Sequence, residues 1–168
     1  MKLGERVQPV FRFVEREVEI GGTKKRFYIL PHPGAVGIAA WQDGKLLLIK
    51  QPRPATDGSL WEVPAGTLER GEDPAGCAVR ELEEETGYRP AHVEPLGRFY
   101  VAPGYSSEFL HLYLATDLSR GQTNWDEGEL IEEQRWLSLD EVATWIQSGR
   151  LVDAKSIAAY TYLTLKGE

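Results

Sequence analysis

A chain of 168 residues can hold one hydrophobic core with a modest extension and is too short for two domains of ordinary size. Hydrophobic residues at 42% and charged residues at 27% match an average globular protein, which excludes a disordered tail, a fibre and a membrane bundle. The net charge of −7 argues against nonspecific binding to a nucleic-acid backbone and means that a polyanionic substrate would need help from a cation.

In chain order, residues 10–20 and 23–30 are rich in aromatic and β-branched types and flank Gly21-Gly22, so a β-hairpin is expected. Residues 1–33 are read as this hairpin extension and residues 34–168 as the main domain, with Pro31-His32-Pro33-Gly34 between them. Residues 35–41 and 45–51 flank Asp43-Gly44, the stronger hairpin signal, and residues 60–64 give a short strand. Asp73-Pro74 has the form of an N-cap followed by proline at the first helical position, with Gly87 as the C-terminal stop. Strands follow at 93–101, 109–116 and 131–137; Ser138 and Glu141 make a capping box for a helix closed by Gly149, and residues 153–165 form a last helix. The pattern is α+β, with helices packed on a mixed sheet.

Apolar stretches fall far below the roughly 18 residues of a bilayer helix, and charges follow the first residues in place of a secretory apolar run. The single cysteine, Cys77, excludes an internal disulfide and a cysteine-based zinc cluster, and its expected role is that of a small buried hydrophobe. A cytoplasmic protein is expected.

Acidic residues are concentrated. Glu62, Glu69, Glu72, Asp73, Glu81, Glu83, Glu84 and Glu85 face only Arg70 and Arg80 in that interval, and a second cluster holds Asp126, Glu127, Glu129, Glu132 and Glu133. Such runs are ordinarily solvated faces. Here helical spacing places Glu81, Glu84 and Glu85 within roughly 100° of one another, where like charges destabilise the helix unless a cation binds between them. Hard carboxylate oxygens suit magnesium or manganese. A phosphate about 5 Å from a carboxylate meets repulsion of order 3 kcal/mol per pair at an effective dielectric of 20, which a bridging divalent ion turns into attraction.

Residues 66–88, GTLERGEDPAGCAVRELEEETGY, fit the pattern GX5EX7REUXEEXGU at every specified position, and the chain therefore resembles the Nudix hydrolases. The resemblance implies an α/β/α sandwich with a mixed sheet, and cleavage of nucleoside diphosphates linked to another group. It also implies that Glu81 and Glu85 are the principal metal ligands, Glu84 an accessory ligand and the Ala65 carbonyl a backbone ligand. Arg80 would orient the glutamates, while Gly66 and Glu72 shape and brace the loop.

Further segments resemble the ADP-ribose pyrophosphatases of that family, and the resemblance covers most of residues 24–165. They are Lys50-Gln51-Pro52-Arg53, though Pro52 stands where an aromatic is common, then Leu60-Trp61-Glu62-Val63-Pro64-Ala65-Gly66 and Ala102-Pro103-Gly104-Tyr105-Ser106-Ser107-Glu108. Asp126-Glu127-Gly128-Glu129-Leu130-Ile131 and Gly149-Arg150-Leu151-Val152-Asp153-Ala154-Lys155-Ser156 complete the set. The implied reaction converts ADP-ribose to AMP and ribose 5-phosphate with two or three Mg2+ ions, Mn2+ being the alternative. Glu129 would be the general base, Glu127 its reserve, and Glu84 a further catalytic carboxylate. Arg53, Glu62, Pro103 and Gly104 would bind substrate. The implied assembly is a homodimer through the N-terminal strands, with Phe11, Phe27 and Tyr28 as candidates to stack on adenine. No nucleic acid or membrane partner is expected. The competing readings are hydrolysis of a sugar nucleotide, a flavin or dinucleoside diphosphate, or a nucleoside triphosphate, and a Nudix module that binds ADP-ribose without turnover.

Overall fold

In the computed structural model, which describes residues 12–121 and 130–168, β1 (Val14–Ile20) and β2 (Thr23–Ile29) form a separate two-stranded antiparallel sheet. Gly21 and Gly22, at φ of 59° and 75°, supply the left-handed turn that a two-residue hairpin needs. Val10 and Phe11, expected at the start of the first strand, lie outside the described residues. The base of the hairpin is stitched to the main body: Leu30 N donates to Tyr105 O at 2.7 Å, and Ser107 N donates to Leu30 O at 3.1 Å.

The main sheet contains β3 (Ala35–Gln42), β4 (Lys45–Arg53), β5 (Gly58–Glu62), β6 (Ala65–Thr67), β7 (Tyr88–Tyr100), β8 (Phe109–Arg120) and β9 (Glu133–Leu137). Its strand order is β5-β4-β3-β8-β7, with β6 added on β3 and β9 on β4. The β3–β8 ladder is parallel and the other ladders are antiparallel, which makes the sheet mixed as expected. β3 and β4 pair only beside their turn, at Trp41–Leu46 and Gln42–Lys45. Beyond those pairs β3 takes β6 while β4 takes β5 and β9, so the two strands part towards Ala35 and Arg53 and open a cleft.

Strand alternation feeds two apolar layers. Ala39, Leu46, Leu48, Leu112 and Leu114 pack with Val142 and Trp145 of α2 (Leu139–Gln147) and with Ala159 and Leu163 of α3 (Ala154–Lys166). Val36, Ile38, Ala40, Leu47 and Ala115 pack on the other face against Cys77, Ala78 and Leu82 of α1 (Pro74–Thr86). The result is an α/β/α sandwich. Among the described residues no helix is long and apolar enough to cross a membrane.

The strand boundaries depart furthest from the sequence pattern at three places, while β4 runs two residues longer and β9 starts two residues later than expected. The single strand expected over 60–64 is two strands: β5 ends at Glu62 on β4, and after Val63-Pro64 the chain changes partner and pairs with β3 as β6. β7 starts at Tyr88, directly after Gly87, where 93 was expected, and it includes Pro90 and Pro95. It is an edge strand with an irregularity between Pro95 and Gly97, where missing N–H donors cost little. Gly97 is required there because a Cβ would lie 2.6 Å from the Tyr162 ring of α3. β8 continues to Arg120, past the expected end at 116.

Candidate active site

The Asp73 side chain accepts the Gly76 N–H at 3.1 Å, Pro74 opens α1, and Gly87 closes it in the left-handed conformation. With Ala78 and Leu82 fixed against the sheet, α1 carries Glu81 and Glu85 inward, to 8% and 2% exposure. Carboxylates this deep need partners. Glu85 Oε2 accepts the Ala65 N–H at 3.0 Å, and Glu81 Oε1 lies 2.8 Å from Arg80 Nη1. A Cβ on Gly66 would fall inside the Glu81 carboxyl group, so only glycine lets the β6 backbone come this close to the helix.

Arg80 gathers the acidic groups. Its Nε and Nη2 donate to the two Glu72 oxygens at 2.9 and 3.1 Å, and its Nη1 donates to Glu84 Oε2 at 2.9 Å. Glu72 in turn accepts the Glu69 N–H at 2.9 Å, which closes the loop before the helix. The hydrogen bonds from Arg80 hold the Glu72 carboxyl down at about 2, and Glu72 foremost raises Arg80. Cys77 lies in the same corner, 3.4 Å from Arg80 Nη2; no base is beside it in sequence, but one is in space. Burial, followed by the neighbouring Glu72, pushes its thiol up to about 12, so it acts as a packing group.

The three carboxylates expected to converge do not do so fully. Among the described residues no three Asp, Glu, His or Cys side chains close into a metal-sized cluster. Glu84 is drawn to Arg80, because a shared guanidinium relieves repulsion between acids at helical neighbour spacing. The donor chemistry still fits a hard divalent cation: Glu81 and Glu85 offer carboxylate oxygens one turn apart beside the backbone of β6.

A second assembly faces this helix across the cleft. Arg53 grips Glu62 with a forked pair, Nε to Oε1 at 2.7 Å and Nη2 to Oε2 at 2.8 Å. Lys155 of α3 also bonds Glu62 Oε2 and lies 3.1 Å from Asp153 Oδ1. Glu62 is 1% exposed; burial pushes its carboxyl up, but the bonds from Arg53 and Lys155 outweigh that and hold it below its ordinary range. Lys155 belongs to the segment 149–156 that the resemblance covers, yet no local pattern singles it out; only the fold brings it to Glu62.

The cleft is a pocket of about 590 Å3 whose lining includes Arg53, Ala65, Gly66, Arg80, Glu81 and Lys155. That volume lies in the range of small-molecule sites. Glu108, just before β8, also lines it. Among the described residues Glu62, Pro103, Gly104, Phe27 and Tyr28 are outside this lining. Pro103 and Gly104 form a turn next to the docked hairpin base, and Tyr28 is 64% exposed on β2. Glu127 and Glu129 lie outside the described residues. Glu132 is held by Ser59 at 2.7 Å and Lys50 at 3.1 Å, and Glu133 by Arg135 at 3.2 Å, all at the surface.

A layered sheet with a carboxylate-bearing helix on one side of a cleft and cations on the other is suited to hydrolysing a phosphoric anhydride. A family profile for the NUDIX domain matches residues 31–160, and the chain belongs to the Nudix family of divalent-metal-dependent hydrolases. It is 42% identical to the methanol dehydrogenase activator of Bacillus methanolicus over 153 residues, covering 89% of this chain and 82% of that one. It is 39% identical to the ADP-ribose pyrophosphatase of Bacillus subtilis (strain 168) over 153 residues, with the same 89% and 82% coverage. A crystal structure described as an ADP compounds hydrolase shares the fold, with a TM-score of 0.84 over 95% of this chain and 89% of that chain at 23% identity.

Proposed function

We propose that the protein hydrolyses ADP-ribose to AMP and ribose 5-phosphate with Mg2+, or Mn2+ in its place, in the cytoplasm. The observation that carries this reading is the pocket itself, in which the Arg53 guanidinium and the Glu81 carboxylate line one cleft of nucleotide size. The choice of ADP-ribose rests on the similarity to the Bacillus subtilis enzyme.

Glu81, Glu85, Glu84 and the Ala65 carbonyl would hold two or three divalent ions, which neutralise the diphosphate and lower the pKa of a water when bound. Arg53 keeps three N–H donors beyond the two given to Glu62, and a guanidinium fork suits phosphate oxygens. Glu129, with Glu127 in reserve, takes a proton from the water that attacks phosphorus in line. The bond from that phosphorus to the bridging oxygen breaks, leaving two phosphomonoesters. Gly66 keeps the β6 backbone against Glu81, and Arg80 with Glu72 holds the helix carboxylates in place.

The test is a substrate panel with magnesium, in which products are counted. ADP-ribose should turn over fastest, yielding AMP without free pyrophosphate. A faster sugar nucleotide, flavin, dinucleoside diphosphate or nucleoside triphosphate would replace it, and binding without turnover would leave a recognition module.

The hairpin is the proposed dimer contact. Two strands alone are marginal in water, and Phe13, Val14, Ile20 and Tyr28 are 45–64% exposed on it. Deleting residues 1–30 should lower both oligomer size and ADP-ribose affinity, with Phe27 and Tyr28 as the adenine-stacking candidates. Light scattering that finds wild-type monomers at micromolar concentration would refute the dimer.

A further inference from the structure

We propose that Lys155 is a substrate-binding residue: its ammonium group, paired with Arg53 on the buried Glu62 carboxylate, grips a non-bridging oxygen of the substrate's diphosphate. The proposal deepens the reading of this pocket as a nucleoside diphosphate site and rests on it.

Arg53 alone already reaches both oxygens of Glu62. Its fork occupies both carboxylate oxygens at 2.7 and 2.8 Å and supplies one positive charge for one negative. A second cation on Oε2 therefore goes beyond one-to-one charge pairing of Glu62, yet Lys155 is placed there with its side chain only 13% exposed. Confining a flexible ammonium costs entropy and hydration, so its position calls for a further return. Asp153 supplies part of it, with Oδ1 3.1 Å from Nζ, and so keeps the four-group cluster of Arg53, Glu62, Lys155 and Asp153 neutral overall.

An ammonium has three donors and no acceptor. Two are directed at Glu62 and Asp153, and among the described residues no further acceptor takes the third. Lys155 lines the same pocket as Arg53, Arg80 and Glu81, so the remaining donor has the cleft as its outlet. Because the cluster is neutral, Lys155 works as an aimed donor more than as a source of long-range attraction. The position is fixed from beneath: Asp153 caps α3 by accepting the Ser156 N–H at 3.0 Å, and Ser156 Oγ accepts the Val63 N–H at 2.8 Å. The start of α3 is thus anchored to the link between β5 and β6, which fixes the backbone position from which the Lys155 side chain reaches Glu62.

The bland alternative is a structural lysine that only completes the Glu62 ion pair. Titrating inorganic pyrophosphate into wild type, Lys155→Met and Lys155→Arg by calorimetry with magnesium present separates the two. We expect Lys155→Met to weaken pyrophosphate binding at least tenfold, and Lys155→Arg to recover to within threefold of wild type. With ADP-ribose, Lys155→Met should raise KM by a similar factor while kcat changes less than threefold. A lowered melting temperature with pyrophosphate affinity unchanged would overturn the proposal, as would wild type that does not bind pyrophosphate. If Lys155→Met does not fold, amine-directed labelling of wild type decides: pyrophosphate should shield Lys155, and equal labelling with and without it overturns the proposal. Failure of ADP-ribose turnover with pyrophosphate binding intact removes the substrate assignment and leaves the Lys155 contact standing.

Discussion

Glu85→Gln and Glu81→Gln are each expected to lower kcat for ADP-ribose by at least a hundredfold, on the order of what weakening a metal site costs, while the fold persists. Glutamine keeps the size of glutamate and an oxygen that can still accept the Ala65 N–H now taken by Glu85 at 3.0 Å. What it loses is the charge that a divalent cation needs. At position 81 the Arg80 guanidinium loses one partner but retains Glu72 at 2.9 Å and Glu84 at 2.9 Å, so the corner stays assembled. Circular dichroism should be unchanged in both variants, and chelator-treated wild type should be similarly inactive, with activity returning on magnesium. Near-normal kcat in either variant at saturating magnesium would remove that residue from the metal site.

The second large effect is expected at Glu129. A general base contributes roughly a hundredfold or more to rate, so Glu129→Gln should lower kcat by about that factor with KM little changed. Glu133→Gln should change kcat less than about threefold, because Glu133 sits on β9 with its carboxylate against Arg135 at 3.2 Å and Lys50 at 3.6 Å, where a surface ion pair is worth little. The neighbouring Glu132 is tied to Ser59 and Lys50, which leaves Glu129 and Glu127 as the candidates for moving a proton. Steady-state kinetics of both variants at saturating magnesium check this. A large loss confined to Glu133→Gln would move the base into the strand.

Some features were readable because neighbours along the chain produce them. Asp73, Pro74 and Gly87 delimit α1 to the residue, since capping and the left-handed stop act within a turn. Gly21-Gly22 and Asp43-Gly44 mark both tight hairpins for the same reason. The spacing from Gly66 to Tyr88 identified the family, and the matched region 31–160 agrees with it. The strands at 35–41 and 45–51 were placed by the turn between them, whereas the two apolar layers on the two sides of the sheet appear only in the packed fold.

The sequence by itself thus determined the turns, the caps and the acidic helix, all of which are set by residues within a few positions of one another. Tertiary structure decided which groups meet. The handover of the chain at Val63-Pro64 from β4 to β3 depends on which strand edges are free, and β7 tolerates Pro90 and Pro95 because it lies at the sheet edge. The same holds for the site: Arg53, Glu62 and Lys155 come from β4, β5 and α3, and Glu85 meets Ala65 across the packing of α1 on β6. No periodicity encodes such meetings, because burying a charge favours whatever partner the packed layers bring within hydrogen-bond reach, however far away it lies in the chain.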